Sequence, residues 1–282
     1  MSLSERFIEF VGESGGVLRG ILHEPIEARD LPPVIMFSGW GGTRYGPNRI
    51  LLEAARDLAT DGRAVLRVDF RGRGDSDGFV DEHDLRSHII DGRTMVAWSR
   101  RNLADRSPVL LGICSGGEVA VGCLFDGLDV DSVCLWSAPV FAAQATTERV
   151  ATKRASYLRE YGRKLFRGET WRKLIAGEVR FDIIRRVLGK AGVHVKSEDE
   201  PAELSAQSDF PARCEAALLI YGTADPIAAE AIQAYQALFS RAGCSTELRH
   251  IEGANHGFYA LDWKREVIES TRGWLAGRGT AS

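Results

Sequence analysis

A tight turn with a reactive side chain is the most informative feature of the sequence. The run Gly-Ile-Cys-Ser-Gly-Gly at 112–117 follows the apolar stretch 109–111 and precedes a segment of helical pattern. A nucleophile presented between a strand and a helix needs small residues two positions before and after it to relieve crowding. Glycines stand at both positions around Cys114, whereas a frame centred on Ser115 has an isoleucine on one side. The spacing therefore favours Cys114 as the nucleophile.

The position of Cys114 also suits thiol chemistry. Backbone N–H groups and the dipole at the start of the following helix favour an anion, and the thiolate is the form of cysteine that attacks a carbonyl carbon. A second interpretation stays open from these residues alone: Cys114 is a buried structural cysteine, and Ser115 caps the helix.

The surrounding pattern predicts an α/β fold. Segments of helical period separate most of the apolar runs; in 47–60 the apolar face consists of Ile50, Leu51, Ala54, Ala55 and Leu58, and a second such segment spans 84–100. From residue 33 onward strands and helices alternate, which predicts a largely parallel sheet with helices on both faces. Eight strands are predicted at about 5–11, 16–22, 33–38, 64–70, 107–113, 131–137, 216–221 and 245–251.

The alternation stops within 141–205, where aromatic and aliphatic residues recur at helical spacing. We interpret this segment as a helical insertion into a core formed by 1–140 and 206–282. It holds 14 Lys and Arg against 9 Asp and Glu, so it is locally basic although the whole chain has a formal net charge of −3. A solvated basic helix face accounts for this excess. A more specific hypothesis is that this positive charge attracts an anionic acyl thioester or an acidic carrier protein.

The sequence resembles the α/β-hydrolase superfamily, whose nucleophile turn reads G-x-nucleophile-x-G. The segment 68–78 is similar to the loop after the fourth strand in cinnamoyl-esterase-like and peptidase-like members, in which the corresponding residues are structural; Asp69, Asp75 and Ser76 are assigned that role. Those esterases carry serine where this chain has Cys114, and the cysteine resembles dienelactone hydrolases and polyhydroxyalkanoate synthases. The resemblance implies an α/β-hydrolase fold, a mostly parallel eight-stranded sheet flanked by helices, with 141–205 as its lid.

The resemblance also implies a catalytic acid and a base, which follow the nucleophile in that order along the chain. The loop 221–227 resembles the acid loop of the superfamily and supplies Asp225, and the loop 251–258 resembles the histidine loop and supplies His256. Taken alone, Asp225 also suits a turn or a helix cap. The other five histidines are interpreted as surface, cap or strand residues: His23, His83, His88, His194 and His250.

Acyl transfer also needs donors for the negative charge that develops on the carbonyl oxygen. The backbone N–H of Ser115 is one expected donor. The loop 37–43 resembles the H-G-F-T-G oxyanion loop of esterases, with Ser38 in place of the histidine, which makes the amide of Trp40 the second donor and its indole a candidate wall of the acyl pocket. A plain glycine-rich turn is the alternative for this loop.

Composition excludes several other classes. Hydrophobic residues make up 44% of the 282 residues, which is typical of a globular protein. The slightly acidic balance gives no sign of nucleic-acid binding, and the sequence lacks phosphate-binding and dinucleotide motifs. The five cysteines are odd in number and lack C-x-x-C spacing, so neither a metal site nor a disulfide framework is expected. We expect no cofactor, no export signal, no membrane span, and a cytoplasmic location.

The sequence thus predicts an enzyme with a Cys114–His256–Asp225 triad, an acyl-cysteine intermediate and a small-molecule acyl substrate, carried in one version on coenzyme A or an acyl carrier protein. Ester or thioester hydrolysis is the reaction that we favour from the sequence. Transfer of the acyl group to an amine or alcohol is the alternative, because the triad does not choose the acceptor. A non-catalytic binding protein of the same fold is the second alternative, and the apolar lid face also suits a homodimer contact.

Overall fold

A computed structural model describes residues 4–13, 15–25, 27–79, 83–103, 106–141 and 212–278. We number its elements in chain order. The strands are β1 (Ser4–Val11), β2 (Val17–Glu24), β3 (Val34–Phe37), β4 (Val65–Val68), β5 (Val109–Ile113), β6 (Ser132–Trp136), β7 (Ala216–Gly222) and β8 (Ser245–Ile251). The helices are α1 (Ile50–Thr60, preceded by a 3-10 turn at Pro47–Arg49), α2 (Leu85–Asn102), α3 (Ser115–Phe125), α4 (Ala228–Arg241) and α5 (Leu261–Arg278).

The eight strands form one sheet in the order β1-β2-β4-β3-β5-β6-β7-β8. Strand β2 runs antiparallel to both of its neighbours, and all pairs from β4 to β8 are parallel. The predicted α/β-hydrolase fold with a mostly parallel sheet is therefore confirmed. The eight predicted strands all exist, although β3, β4, β5 and β6 are shorter than expected.

Helix α1 shows why the periodicity was informative. The five residues predicted to form its apolar face are all at most 1% exposed, and they pack in one core cluster with β3, β5 and α5. Each fully buried leucine or isoleucine of this kind contributes about 1.5–3 kcal/mol through removal of apolar surface from water. Central strands such as β5 and β7 are buried along their whole length, as expected for a parallel sheet covered on both faces.

The parallel strands bring distant parts of the sequence to one edge. Residues that directly follow β3, β4, β5, β6, β7 and β8 all lie beyond the carboxyl ends of neighbouring strands, which is where open α/β sheets bind ligands. The predicted insertion 141–205, apart from Phe141, and its connector at 197–201 lie outside the described residues. Within the part of the chain that is described, no helix has the length and apolar character needed to cross a bilayer.

Candidate active site

Cys114 occupies the sharp turn between β5 and α3. Its backbone adopts φ 54° and ψ −131°, a region that non-glycine residues rarely enter and that costs on the order of 1–3 kcal/mol. Its N–H donates to the carbonyl of Trp136 at 2.9 Å, and its own carbonyl accepts from Gly117 at 2.9 Å. Both bonds hold the turn in this strained form. The thiol is partly exposed.

The glycines around Cys114 are required by close backbone approach. A Cβ atom on Gly112 would overlap the carbonyl of Gly116, and one on Gly116 would overlap the carbonyl of Phe37 at the end of β3. A Cβ on Gly39 would come within 3.1 Å of the Cβ of Cys114. The sequence argument for a turn centred on Cys114 therefore has a steric basis in the structure. The same glycines let the first turn of α3 lie against the end of β3.

Asp225 and His256 form a close pair. The His256 Nδ1 atom lies 3.0 Å from Asp225 Oδ2, and the Asp225 side chain is fully buried whereas that of His256 is 37% exposed. Strands β7 and β8 are hydrogen-bonded neighbours, so the loops that follow them carry the two residues to the same place. The Asp225 carboxylate also accepts from the Ile227 N–H at 3.2 Å.

The electrostatics link this pair to Cys114. Burial tends to lower the pKa of the His256 imidazole, but hydrogen bonds with Asp225 and Cys114, and the negative charge of both, outweigh burial and raise the pKa to about 10. Burial tends to raise the pKa of Asp225, yet the hydrogen bond and positive charge of His256, with smaller contributions from Ser137 and Ile227, lower it. The arrangement favours a protonated imidazole between two acidic groups.

The two predicted oxyanion donors also lie together. The N–H of Trp40 donates to the hydroxyl of Ser115 at 2.5 Å, which joins the loop after β3 to the start of α3. The Ser115 hydroxyl is therefore a partner of Trp40, and the helix starts at Cys114 as its N-cap residue. The side chain of Trp40 is 46% exposed, as a residue lining a substrate pocket can be.

Loop 69–77 contacts the chain just after the loop that follows β3. Buried Asp69 accepts from the Arg44 N–H at 2.6 Å and pairs with the Arg44 guanidinium, which also contacts Asp75 at 2.6 Å. The Ser76 hydroxyl donates to the Asp69 carbonyl at 2.6 Å. These contacts agree with the structural roles predicted for Asp69, Asp75 and Ser76, because they fix Arg44 just after the glycines of the oxyanion loop.

Two residues near the site were missed in the sequence. Arg73 is buried, donates through Nε to the carbonyl of Trp40 at 2.8 Å, and stacks over its indole at 5.5 Å. Ser137 follows β6 with φ 45° and helps to lower the pKa of Asp225. The signal for Ser137 was its place directly after a parallel strand. The only sequence signal for Arg73 was its position in a loop rich in arginine and glycine.

The interpretation of His88 as a surface, cap or strand residue was wrong. It lies on helix α2, is 2% exposed, stacks on the Phe70 ring at 4.5 Å and makes a tilted contact with the Trp40 ring at 5.2 Å. Burial, with the positive charge of Arg73 and His83, lowers the pKa of His88 to about 4, so the ring is neutral at pH 7. Helical period placed 84–100 correctly, but the face of α2 that meets the oxyanion loop depends on tertiary packing. His23 and His250 are strand residues as predicted, in β2 and β8, and His194 lies outside the described residues.

Among the residues that the structure describes, no group of three or more His, Cys, Asp or Glu side chains is arranged to hold a metal ion.

The fold is that of an α/β-hydrolase-type protein, and the chain belongs to the alpha/beta hydrolase family, whose model matches residues 34–270. Solved structures with the same fold include the esterase Pf2001 from Pyrococcus furiosus, at 17% identity and a TM-score of 0.66 over 98% of this chain and 90% of that one. A dienelactone hydrolase from Anabaena variabilis is 17% identical with a TM-score of 0.59 over 98% and 99% of the two chains. An α/β serine hydrolase homologue from Coxiella burnetii is 16% identical with a TM-score of 0.56 over the full length of both. No curated protein sequence matched this chain.

Proposed function

We propose that this protein is an acyl-transfer enzyme that hydrolyses an ester or thioester through a covalent intermediate on Cys114. The observation that carries the proposal is the strained turn at Cys114, whose thiol interacts with an imidazole that is itself paired at 3.0 Å with a buried carboxylate. Strain of this kind persists only where the surrounding structure enforces it, and it clusters at active sites. A dienelactone hydrolase and an esterase among the structures of the same fold agree with this chemistry.

In the first step the Cys114 thiolate attacks the carbonyl carbon of the substrate. The carbonyl oxygen becomes negatively charged and accepts hydrogen bonds from the N–H groups of Trp40 and Ser115. The Trp40 N–H must leave the Ser115 hydroxyl to do so, because the structure pairs these two groups. Protonated His256 gives its proton to the departing alkoxide or thiolate as the C–O or C–S bond breaks, which leaves an acyl-Cys114 thioester.

In the second step water attacks the thioester and His256 accepts a proton from it. Acylation removes the thiolate, so the hydrogen bond and negative charge from Cys114 no longer raise the pKa of His256. The imidazole therefore becomes a base at the stage of the reaction that needs one. Asp225 stays paired with it and holds the Nδ1–H tautomer, so that Nε2 faces the reaction.

The test is intact-protein mass spectrometry after incubation with a panel of activated esters and thioesters. We expect a mass increase equal to the acyl group, present in the wild type and in Ser115→Ala but absent from Cys114→Ala. Loss of the adduct in Ser115→Ala, with Cys114→Ala still labelled, would transfer the nucleophile to Ser115. Failure of every protein to acquire an adduct or release product, while iodoacetamide still modifies Cys114, would favour a non-catalytic binding protein.

The acceptor is identified by a second measurement on the same samples. If water is the acceptor, the pre-formed adduct decays to free acid at a rate that added amines and alcohols do not change. Saturable formation of an amide or ester, faster than decay in water, would assign an acyltransferase instead. The matched control is Cys134→Ala, because Cys134 is a fully buried thiol on β6.

A further inference from the structure

Two more thiols meet at the amino ends of β7 and β8, whereas the candidate active site lies beyond the carboxyl ends of the strands. Cys214 precedes β7 and Cys244 precedes β8, and their sulfur atoms are 3.6 Å apart. Thirty positions separate them along the chain. Sequence spacing gave no reason to pair them, and the odd number of cysteines argued against a disulfide framework.

The register of the sheet explains why they meet. Ala216 of β7 pairs in parallel with Ser245 of β8, and the Ser245 N–H donates to the Glu215 carbonyl at 3.1 Å. Continued by one residue, this register sets Glu215 opposite Cys244, so Cys214 is a diagonal neighbour of Cys244. A strand spacing of about 4.8 Å and a rise of about 3.3 Å per residue give such a diagonal a Cα separation of about 6 Å, within the range of about 4.4–6.8 Å that disulfides require. Contact between the sulfurs shows that the two side chains point towards each other.

The environments of the two sulfurs differ in a way that suits oxidation. Cys244 is 5% exposed, while Cys214 is partly exposed and borders a surface cleft of about 530 Å³, through which a small oxidant can reach it. The interaction with Cys214 lowers the pKa of Cys244, and the same interaction, with burial, raises the pKa of Cys214. The two thiols therefore influence each other directly, as expected from the contact between their sulfur atoms.

We propose that Cys214 and Cys244 form a dithiol site that low-molecular-weight disulfides oxidise to a Cys214–Cys244 disulfide. In the net step each thiol loses one proton, the pair loses two electrons as the S–S bond forms, and one RSSR molecule is reduced to two RSH. The new bond ties the edge strand β8 to β7, the same two strands whose other ends carry Asp225 and His256. The proposal does not depend on the function proposed for Cys114.

The experiment uses the full chain as Cys114→Ala, which removes the thiol of the candidate active site. The protein is incubated with oxidised glutathione at pH 8, blocked with N-ethylmaleimide and digested without reductant. Trypsin cleaves after Arg213, Arg241 and Arg249, so the two cysteines fall on separate peptides of known mass. We expect one cross-linked pair that dithiothreitol reverses, and a Tm higher by roughly 5 °C in the oxidised protein, because the disulfide restricts the unfolded chain.

The matched variants are Cys214→Ser and Cys244→Ser, each of which must abolish both the link and the rise in Tm, and Cys123→Ser, which must leave both unchanged. Cys214→Ala and Cys244→Ala replace the serine variants if those fail to fold. The proposal is overturned if the native protein carries separate glutathione or maleimide labels on both residues, or if the cross-link forms only in guanidinium chloride.

Discussion

Cysteines at different places in the fold have very different surroundings. Cys114, at the carboxyl end of β5, lies in a strained turn, is partly exposed and interacts with His256. Cys134 on β6 and Cys123 on α3 are fully buried, and burial raises the pKa of both thiols. The cysteine side chain is the same in all three places, so the reactivity that we propose for Cys114 would have to come from the backbone turn and the imidazole.

The largest effect that tests this comparison is expected from Asp225→Asn. The substitution keeps the shape of the side chain but removes the charge that stabilises the imidazolium and the acceptor that fixes its tautomer, so we expect the acylation rate to fall by about 10³- to 10⁴-fold. Stopped-flow release of a thiol from an activated thioester measures it. A rate close to that of the wild type would place the acid elsewhere, provided that the Tm shows both proteins are folded.

The next effect is the selectivity of alkylation. At pH 7 iodoacetamide should modify Cys114 at least about 100-fold faster than Cys123 and Cys134, since of these three only Cys114 is partly exposed and next to an imidazolium. Peptide mass spectrometry of time points gives the three rates separately. His256→Ala should remove most of the advantage of Cys114 while leaving the two buried thiols as slow as before. Equal rates at all three sites in the native protein would contradict the comparison.

A smaller effect is expected from Arg73→Met, which removes the donor to the Trp40 carbonyl and the cation over its indole. Looser positioning of the Trp40 amide should slow acylation by about 10-fold. Alkylation of Cys114 should not change, because no oxyanion forms in that reaction. Arg100→Met is the control: Arg100 makes the same kind of bond, to the carbonyl of Asp129 at 2.7 Å, away from the site. Equal slowing of acylation and alkylation would mean that Arg73 only supports the fold.

The most subtle effect concerns the titration of His256. Removing the thiol in Cys114→Ala should lower the pKa of His256 from about 10, because one hydrogen bond and one negative charge are lost while Asp225 remains. Imidazole ¹⁵N chemical shifts followed against pH measure the change, and Cys134→Ala should leave the value unaltered. A pKa that stayed at about 10 without the thiol would show that Asp225 alone raises it.

The same titration has a consequence for stability. The pKa of His256 is raised above its ordinary value of 6.5, so the stability contributed by its protonated form is fully present below pH 6.5 and is lost as the pH rises through about 10. The Tm should therefore fall less between pH 7 and pH 10.5 in Cys114→Ala than in the wild type.

Much of the fold followed from the sequence because its signals are local. Buried parallel strands are short apolar runs, and α1 has one apolar face that the period of 3.6 residues makes visible. The eight strands and the face of α1 were predicted for this reason. The side chains of Arg73, His88 and Ser137 could not be placed near the site in the same way, since each reaches it by packing between elements that are distant in the chain.

The sequence by itself determined the turn at Cys114. Close backbone contacts in this turn require glycine at positions 112 and 116, and that spacing is visible in the sequence alone. It also indicated that Asp225 and His256 follow strands. Only the tertiary structure decided that β7 and β8 are neighbours. This one pairing brings Asp225 to His256 at the carboxyl ends of the two strands and Cys214 to Cys244 at their amino ends. The physical reason is that strand order depends on how helices pack across the sheet, a property that no single segment of the sequence carries.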